Sequence, residues 1–220
     1  MKQNIVLAFD IERVGATREY DTIAIGAVVM DSNYNELGRY YFDCYYPETT
    51  FEPRCYEQFW SKNQNILEKM LYTGPQSKNE REKEMICGFF EFRKKWEQYA
   101  ETNNMNYYLV SDNNVFDGGF INELMFKHMS DKLPIPYNAS KQEYDTFYET
   151  HSIMKGFLLN QRINKEWNLF EEIAKTINVP KCVVNHDHNP ANDAYVIAFE
   201  MVCLLNYARM TQVARMPKVV

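Results

Sequence analysis

Residues 4–11, NIVLAFDI, form a nearly unbroken apolar run, and residues 22–30, TIAIGAVVM, form a second. A strand with one wet face alternates apolar and polar residues, whereas continuous runs of this length belong to strands covered on both faces. Two such strands require helices above and below one sheet, which narrows the fold class sharply. The turn residues DSNYNELG lead into an aromatic strand at 39–46, RYYFDCYY, so the first three strands read as a β-meander. Residues 51–72 read as helical and loop-rich, and TGPQS at 73–77 breaks the chain. A charged amphipathic helix follows over 79–102, with Met85, Phe89, Phe92 and Trp96 at helical spacing. The pattern then predicts a strand at 106–111, a helix at 118–129 and a loop at 131–143, where LPIP favours extended backbone. A short strand near Tyr144–Tyr148, a helix at 166–178 and a last helix at 190–208 complete the series. The order βββα-β-α-β-α-α predicts an α/β fold, a mixed central sheet of about five strands flanked by helices on both faces. It reads as one domain over 1–210 with a tail at 211–220.

A chain of 220 residues with 45% hydrophobic content is ample for one sizeable core. No segment approaches the roughly 20 apolar residues that span a bilayer, and the apolar stretch near the N-terminus is too short for a signal peptide. The expectation is an intracellular protein with no membrane partner. Cys44, Cys55, Cys87, Cys182 and Cys203 are scattered, odd in number and without a CxxC pair, so they read as reduced thiols, not a disulfide frame or zinc site. The net charge of −6 argues against nucleic-acid binding through a broad basic surface. It is compatible with a protein that meets phosphate through metal ions, because the carboxylate ligands of such ions lower the pI.

Three segments carry candidate chemistry. Asp10 and Glu12 lie two apart in a predicted strand, so both carboxylates project from one face near its end, where open α/β sheets bind ligands. Taken alone, they are equally two solvated acids at a surface. Asp117 shares a helical face with Phe120, Ile121 and Leu124, an unusual place for an acid unless it caps the helix or binds something. In VVNHDHNPANDAYVIAFE (183–200), Asn189 suits an N-cap and Pro190 the first helical position. His188 then precedes the cap and Asp193 takes the fourth helical position, the two sites whose side chains meet in a hydrophobic staple. His186 lies two residues further out, without that geometry. Each feature alone has an ordinary structural explanation; together they do not. Carboxylates collected in one place repel by about 4 kcal/mol per pair at 4 Å and an effective dielectric near 20. Such a set persists with cations, and all-oxygen ligands suit Mg²⁺ or Mn²⁺.

The segments FDIE (9–12), NNVFD (113–117) and HNPAND (188–193) resemble the three motifs of the DEDDh 3′–5′ exonucleases, which have the ribonuclease H-like fold. The third motif is histidine, four residues, then aspartate, which only His188 satisfies. DTIAIGAVVMD is similar to the family's second strand, YDTFYE (144–149) to its Asp-Thr segment, and WNLFEEIAKTINVP to the helix before the third motif, so the resemblance covers residues 4–208. It implies that Asp10 bridges two divalent cations, Mg²⁺ or Mn²⁺. Glu12 and Asp193 would hold the metal bearing the attacking water, Asp117 would hold the second, partly through water, and His188 would be the general base. It implies stepwise release of nucleoside 5′-monophosphates from the free 3′ end of single-stranded RNA or DNA. Arg13, Asn113 and Phe116, inside or beside the motifs, are candidate substrate contacts.

The chain departs from the family pattern in two places. Arg13-Val14-Gly15 follows Glu12 where many members have Thr-Thr-Gly, and Asp112 precedes Asn113 where a histidine is common. Asp112 is expected to face solvent. Phe59, Trp60, Tyr40, Tyr41, Tyr45 and Tyr46 offer stacking surfaces for bases, although strand aromatics ordinarily pack the sheet. Lys94, Lys95, Arg209, Arg215 and Lys218 are the nearest candidates for phosphate contacts, with solvated charge as the default. The competing readings are a nucleic-acid-binding or interaction module that keeps the fold without catalysis, and an endonuclease of the same fold.

Overall fold

Strand β1 (Asn4–Arg13) is the centre of the molecule, and every residue from Ile5 to Phe9 is fully buried. The computed structural model describes residues 2–129, 147–149, 173, 175–182, 184 and 187–215. β1 pairs antiparallel with β2 (Thr22–Asp31) and parallel with β4 (Asn106–Ser111). β3 (Glu36–Asp43) runs antiparallel to β2, and the three-residue β5 (Phe147–Glu149) runs parallel to β4. The sheet is therefore mixed, five-stranded and ordered β3-β2-β1-β4-β5, as the sequence predicts.

Alternation along β1 sorts its side chains onto two helical layers. Ile5, Leu7, Phe9 and Ile11 meet Met85, Ile86 and Phe89 of α3 (Lys78–Thr102) and Ile121 and Met125 of α4 (Gly119–Met129). Val6 and Ala8, with Val28, Met30 and Val110, meet Ala194, Ile197, Ala198 and Val202 of α5 (Pro190–Arg215). The same alternation carries Asp10 and Glu12 onto the α5 face just where the apolar layer ends. α3 starts one residue earlier than its periodicity suggests because Ser77 and Glu80 form a reciprocal capping box. A third cluster of Val14, Ile23, Trp60, Leu67 and Met70 lies under α1 (Pro53–Gln58), a 3₁₀ turn and α2 (Gln64–Met70). Trp60 is anchored there by its indole N–H, which donates to the Arg13 carbonyl at 2.9 Å.

Several sequence expectations fall outside the described residues: the loop at 131–143, Tyr144, Asp145 and Thr146, most of the helix at 166–178, His186, Lys218 and the side chain of Arg215. Among the described residues no helix is long and apolar enough to cross a membrane.

Candidate functional site

Gly26 decides how close the last helix comes to the sheet. It stands opposite Asp10 in the β1–β2 ladder, and a Cβ there would lie 2.0 Å from the Ala191 nitrogen and 2.1 Å from the Pro190 carbonyl carbon. No side chain fits, so the first turn of α5 rests directly on the backbone of β2. Asn189 caps that turn, its Oδ1 accepting from Ala191 N at 3.0 Å and Asn192 N at 3.4 Å. Asp193 is 2% exposed and faces the acids of β1. Its Oδ1 accepts from the Asp187 backbone N–H at 3.1 Å. His188 enters the cap with a φ of +59°, a left-handed conformation that costs a non-glycine residue about 1–2 kcal/mol. That turn directs the imidazole at the site. Nδ1 lies 4.0 Å from Glu12 Oε1, and the ring meets Phe59 edge-on with centroids 4.6 Å apart.

Asp117 reaches the same place by a different device. After β4 the chain makes a single π-helical turn, Asn114–Gly118, before α4 begins. Asn113, not Asp117, caps it by accepting from Phe116 N, which removes capping as an explanation for the acid. Asp117 is 3% exposed and accepts from Ser111 Oγ at 2.7 Å through Oδ2, while Ser111 Oγ in turn accepts from Asn113 N at 3.0 Å.

The structure gathers the predicted residues into two adjoining sets. The side-chain ligand atoms of Glu12, His188 and Asp193 lie within 4.8 Å of one another, and so do those of Asp10, Asp112 and Asp117. Asp112 corrects the sequence expectation, because it is part of the second set and not a solvent-facing acid. Burial, followed by the charge of Asp117, holds the Asp10 carboxyl well above the usual carboxylate range. Burial and then Asp193 do the same to Glu12. Burial also pushes Asp117 up to about 8, against the Ser111 hydrogen bond and with the charge of Asp112. Glu200, two turns along α5 from Asp193, is pushed up to about 7 by burial and then by Asp112. A site with these properties resists becoming fully ionised unless positive charge enters it.

Arg13 is engaged within the fold. Its guanidinium lies 3.3 Å over the Phe120 ring and donates to Gly15 O, Thr22 Oγ1, Thr17 O and Tyr20 O. These bonds hold the loop between β1 and β2, and Arg13 also lines the cavity beside the site. Phe116 does border the cleft, packed edge-on against Phe120 at 5.0 Å. A cavity of about 310 Å³ adjoins the site, lined by Glu12, Gly15, Glu52, Gln58, Phe59 and Phe116. Trp60 and Tyr46 are buried, and Tyr40 donates to Met85 O, so these aromatics pack the fold. Lys94 and Lys95 lie against the rings of Phe90 and Trp96 on α3.

Two solved structures share this architecture. The crystal structure of cell-death related nuclease 4 (CRN-4) aligns with a TM-score of 0.50 at 13% identity, covering 92% of this chain and 64% of that one. The zinc-ion-bound form of E. coli ExoI in complex with single-stranded DNA aligns with a TM-score of 0.52 at 15% identity, covering 96% of this chain and 42% of that one. The fold is the ribonuclease H-like one. This chain spans less than two thirds of the length of either neighbour. No family model matches the sequence, and neither does any curated protein. Within the ribonuclease H-like fold, the two residue sets sit where β1 and β4 end and α5 begins. The sequence signals that pointed there were strand parity and the capping pattern. Phe59 was a candidate only as an aromatic surface, and Gly26 and Ser111 carried no signal, since their roles depend on contacts between distant segments.

Proposed function

We propose that the chain is a metal-dependent 3′–5′ exonuclease of the DEDDh type that shortens single-stranded RNA or DNA from a free 3′ end. The observation that carries this reading is the convergence of Asp10, Glu12, Asp117, His188 and Asp193 into two sets of ligand atoms. The donor set fits hard divalent cations, Mg²⁺ or Mn²⁺. Glu12 is only 9% exposed, yet among the described residues it accepts no hydrogen bond and has only His188 at 4.0 Å. Buried carboxylate oxygens with no donor are what a cation site leaves behind. The neighbours' nuclease name and single-stranded DNA complex support the same class of partner.

Glu12 and Asp193 would hold one ion, Asp117 the other, and Asp10 would bridge them. Bound there, such ions would acidify the attacking water and neutralise charge on the phosphate and leaving oxygen. His188 takes the water's proton. An imidazole ordinarily titrates near 6.5, and with its side chain 37% exposed it can return the proton to solvent. Glu12 stabilises the imidazolium, and the Phe59 edge fixes the plane of the ring. Phe59 and Phe116 form walls on which the terminal base stacks, worth about 1–3 kcal/mol per base. The water oxygen joins phosphorus, the bond to the 3′ oxygen of the shortened strand breaks, and that oxygen takes up a proton. A nucleoside 5′-monophosphate leaves.

Incubation of 5′-labelled single-stranded RNA and DNA oligonucleotides with Mg²⁺ tests the reading, each with a free or a phosphate-blocked 3′ end. The expected result is a ladder shortening by single nucleotides, prevented by the block and by EDTA. A stable complex without cleavage would instead establish a binding module, and cutting of a circular single strand would establish an endonuclease.

A further inference from the structure

We infer that Asp112 is a fifth carboxylate ligand of the site, sharing with Asp10 and Asp117 the cation on the β4 side. The inference rests on the metal-site reading above and extends it to a residue outside the motif set. Its basis is proximity. β1 and β4 pair in parallel with Ala8 opposite Val110, and both side chains belong to the apolar layer under α5. Asp10 lies two residues further along β1, and Asp112 lies in the bend just past the end of β4. Like charges on neighbouring strands destabilise a sheet. Here three acids, Asp10, Asp112 and Asp117, bring ligand atoms within 4.8 Å of one another. Asp117 accepts from Ser111 Oγ at 2.7 Å and from the Asn113 backbone, and among the described residues none of the three forms an ion pair. Asp117, only 3% exposed, adds its charge to the same place from the helix side.

The backbone builds this arrangement deliberately. Ser111 Oγ ties Asn113 N–H to the Asp117 carboxylate, which curls the end of β4 around the acid and keeps Asp112 between strand and π turn. The cation there would have three carboxylates in place of the two that the motif set provides. One coordinated water is replaced by a charged oxygen, which tightens the site.

The test is calorimetric titration of the metal-free chain with Mn²⁺ alone, for the native protein, Asp112→Asn and Asp187→Asn, with circular dichroism to verify folding. Asp187 is a neighbouring acid whose side chain is occupied by Asn189 N and Asn192 Nδ2, so its variant gauges a purely long-range charge effect. The native chain is expected to bind two ions. Asp112→Asn should weaken one of them at least tenfold, leave the other within threefold, and exceed the effect of Asp187→Asn. A loss in Asp112→Asn no larger than in Asp187→Asn overturns the proposal while leaving the two-ion site intact. Absence of Mn²⁺ binding in the native chain overturns the metal-site reading itself, and this inference with it.

Discussion

His188 Nδ1 faces Glu12 Oε1 at 4.0 Å, the one place where the β1 strand and the α5 cap present a base and an acid to each other. Replacing His188 with Asn should cut single-turnover cleavage by about 10²–10⁴-fold. It should also remove the rise in rate with pH that deprotonation of an imidazole gives. Retention of that rise in the variant would assign the base elsewhere.

Asp10→Asn removes a ligand common to both proposed ions and one charge of a crowded set. Cleavage should fall below detection, while urea unfolding of the metal-free variant at pH 8 should occur at a higher midpoint than for the native chain. A variant that still cleaves normally would break the metal-site assignment.

The pH dependence of stability has a definite sign. In the metal-free fold Asp117 titrates near 8 and Glu200 near 7, and Asp10 and Glu12 are also raised, whereas carboxyl groups in the unfolded chain titrate near 4. Between these limits the folded state holds more protons, so stability should fall as pH rises from about 4 to 8. Urea midpoints in EDTA at pH 5 and pH 8 check this, and Mg²⁺ should restore much of the loss at pH 8. A midpoint that climbs with pH in EDTA would contradict the buried, uncompensated state of these acids.

Gly26→Ala forces a methyl group against the backbone of Pro190 and Ala191. Because no flexible side chain can yield, the expected cost is about 2–3 kcal/mol in chemical denaturation. Activity should fall further than stability alone explains, since α5 carries Asp193 and its cap carries His188.

Arg13→Met leaves three backbone carbonyls of the β1–β2 loop without their donor, and should cost about 3 kcal/mol. If its role is confined to that loop, KM in the folded variant changes less than threefold. A large rise in KM at unaltered stability would return Arg13 to the substrate.

The sheet, its order of elements and the five clustered motif residues were legible because they depend on local rules. Continuous apolar runs mark strands covered twice, parity groups Asp10 with Glu12, and Asn189-Pro190 opens a helix. Asp112 was misread because its place is set by the bend after β4, where Ser111 links Asn113 and Asp117, and no local pattern specifies that bend. The hydrogen bonds of Arg13 were not legible for a related reason. A basic residue beside a motif suggests phosphate, yet its donors go to carbonyls of a loop whose path no local pattern specifies.

Each of the two ligand sets takes one acid from β1, Asp10 for one and Glu12 for the other. The ladder to β2 is regular across both, and its irregularity comes only between Glu12 and Arg13. The gap between the two sets is thus measured out by a strand's own repeat, about 6.8 Å for two residues. The main chain acts as the ruler of the site, and side chains elsewhere in the core can be exchanged without moving its marks.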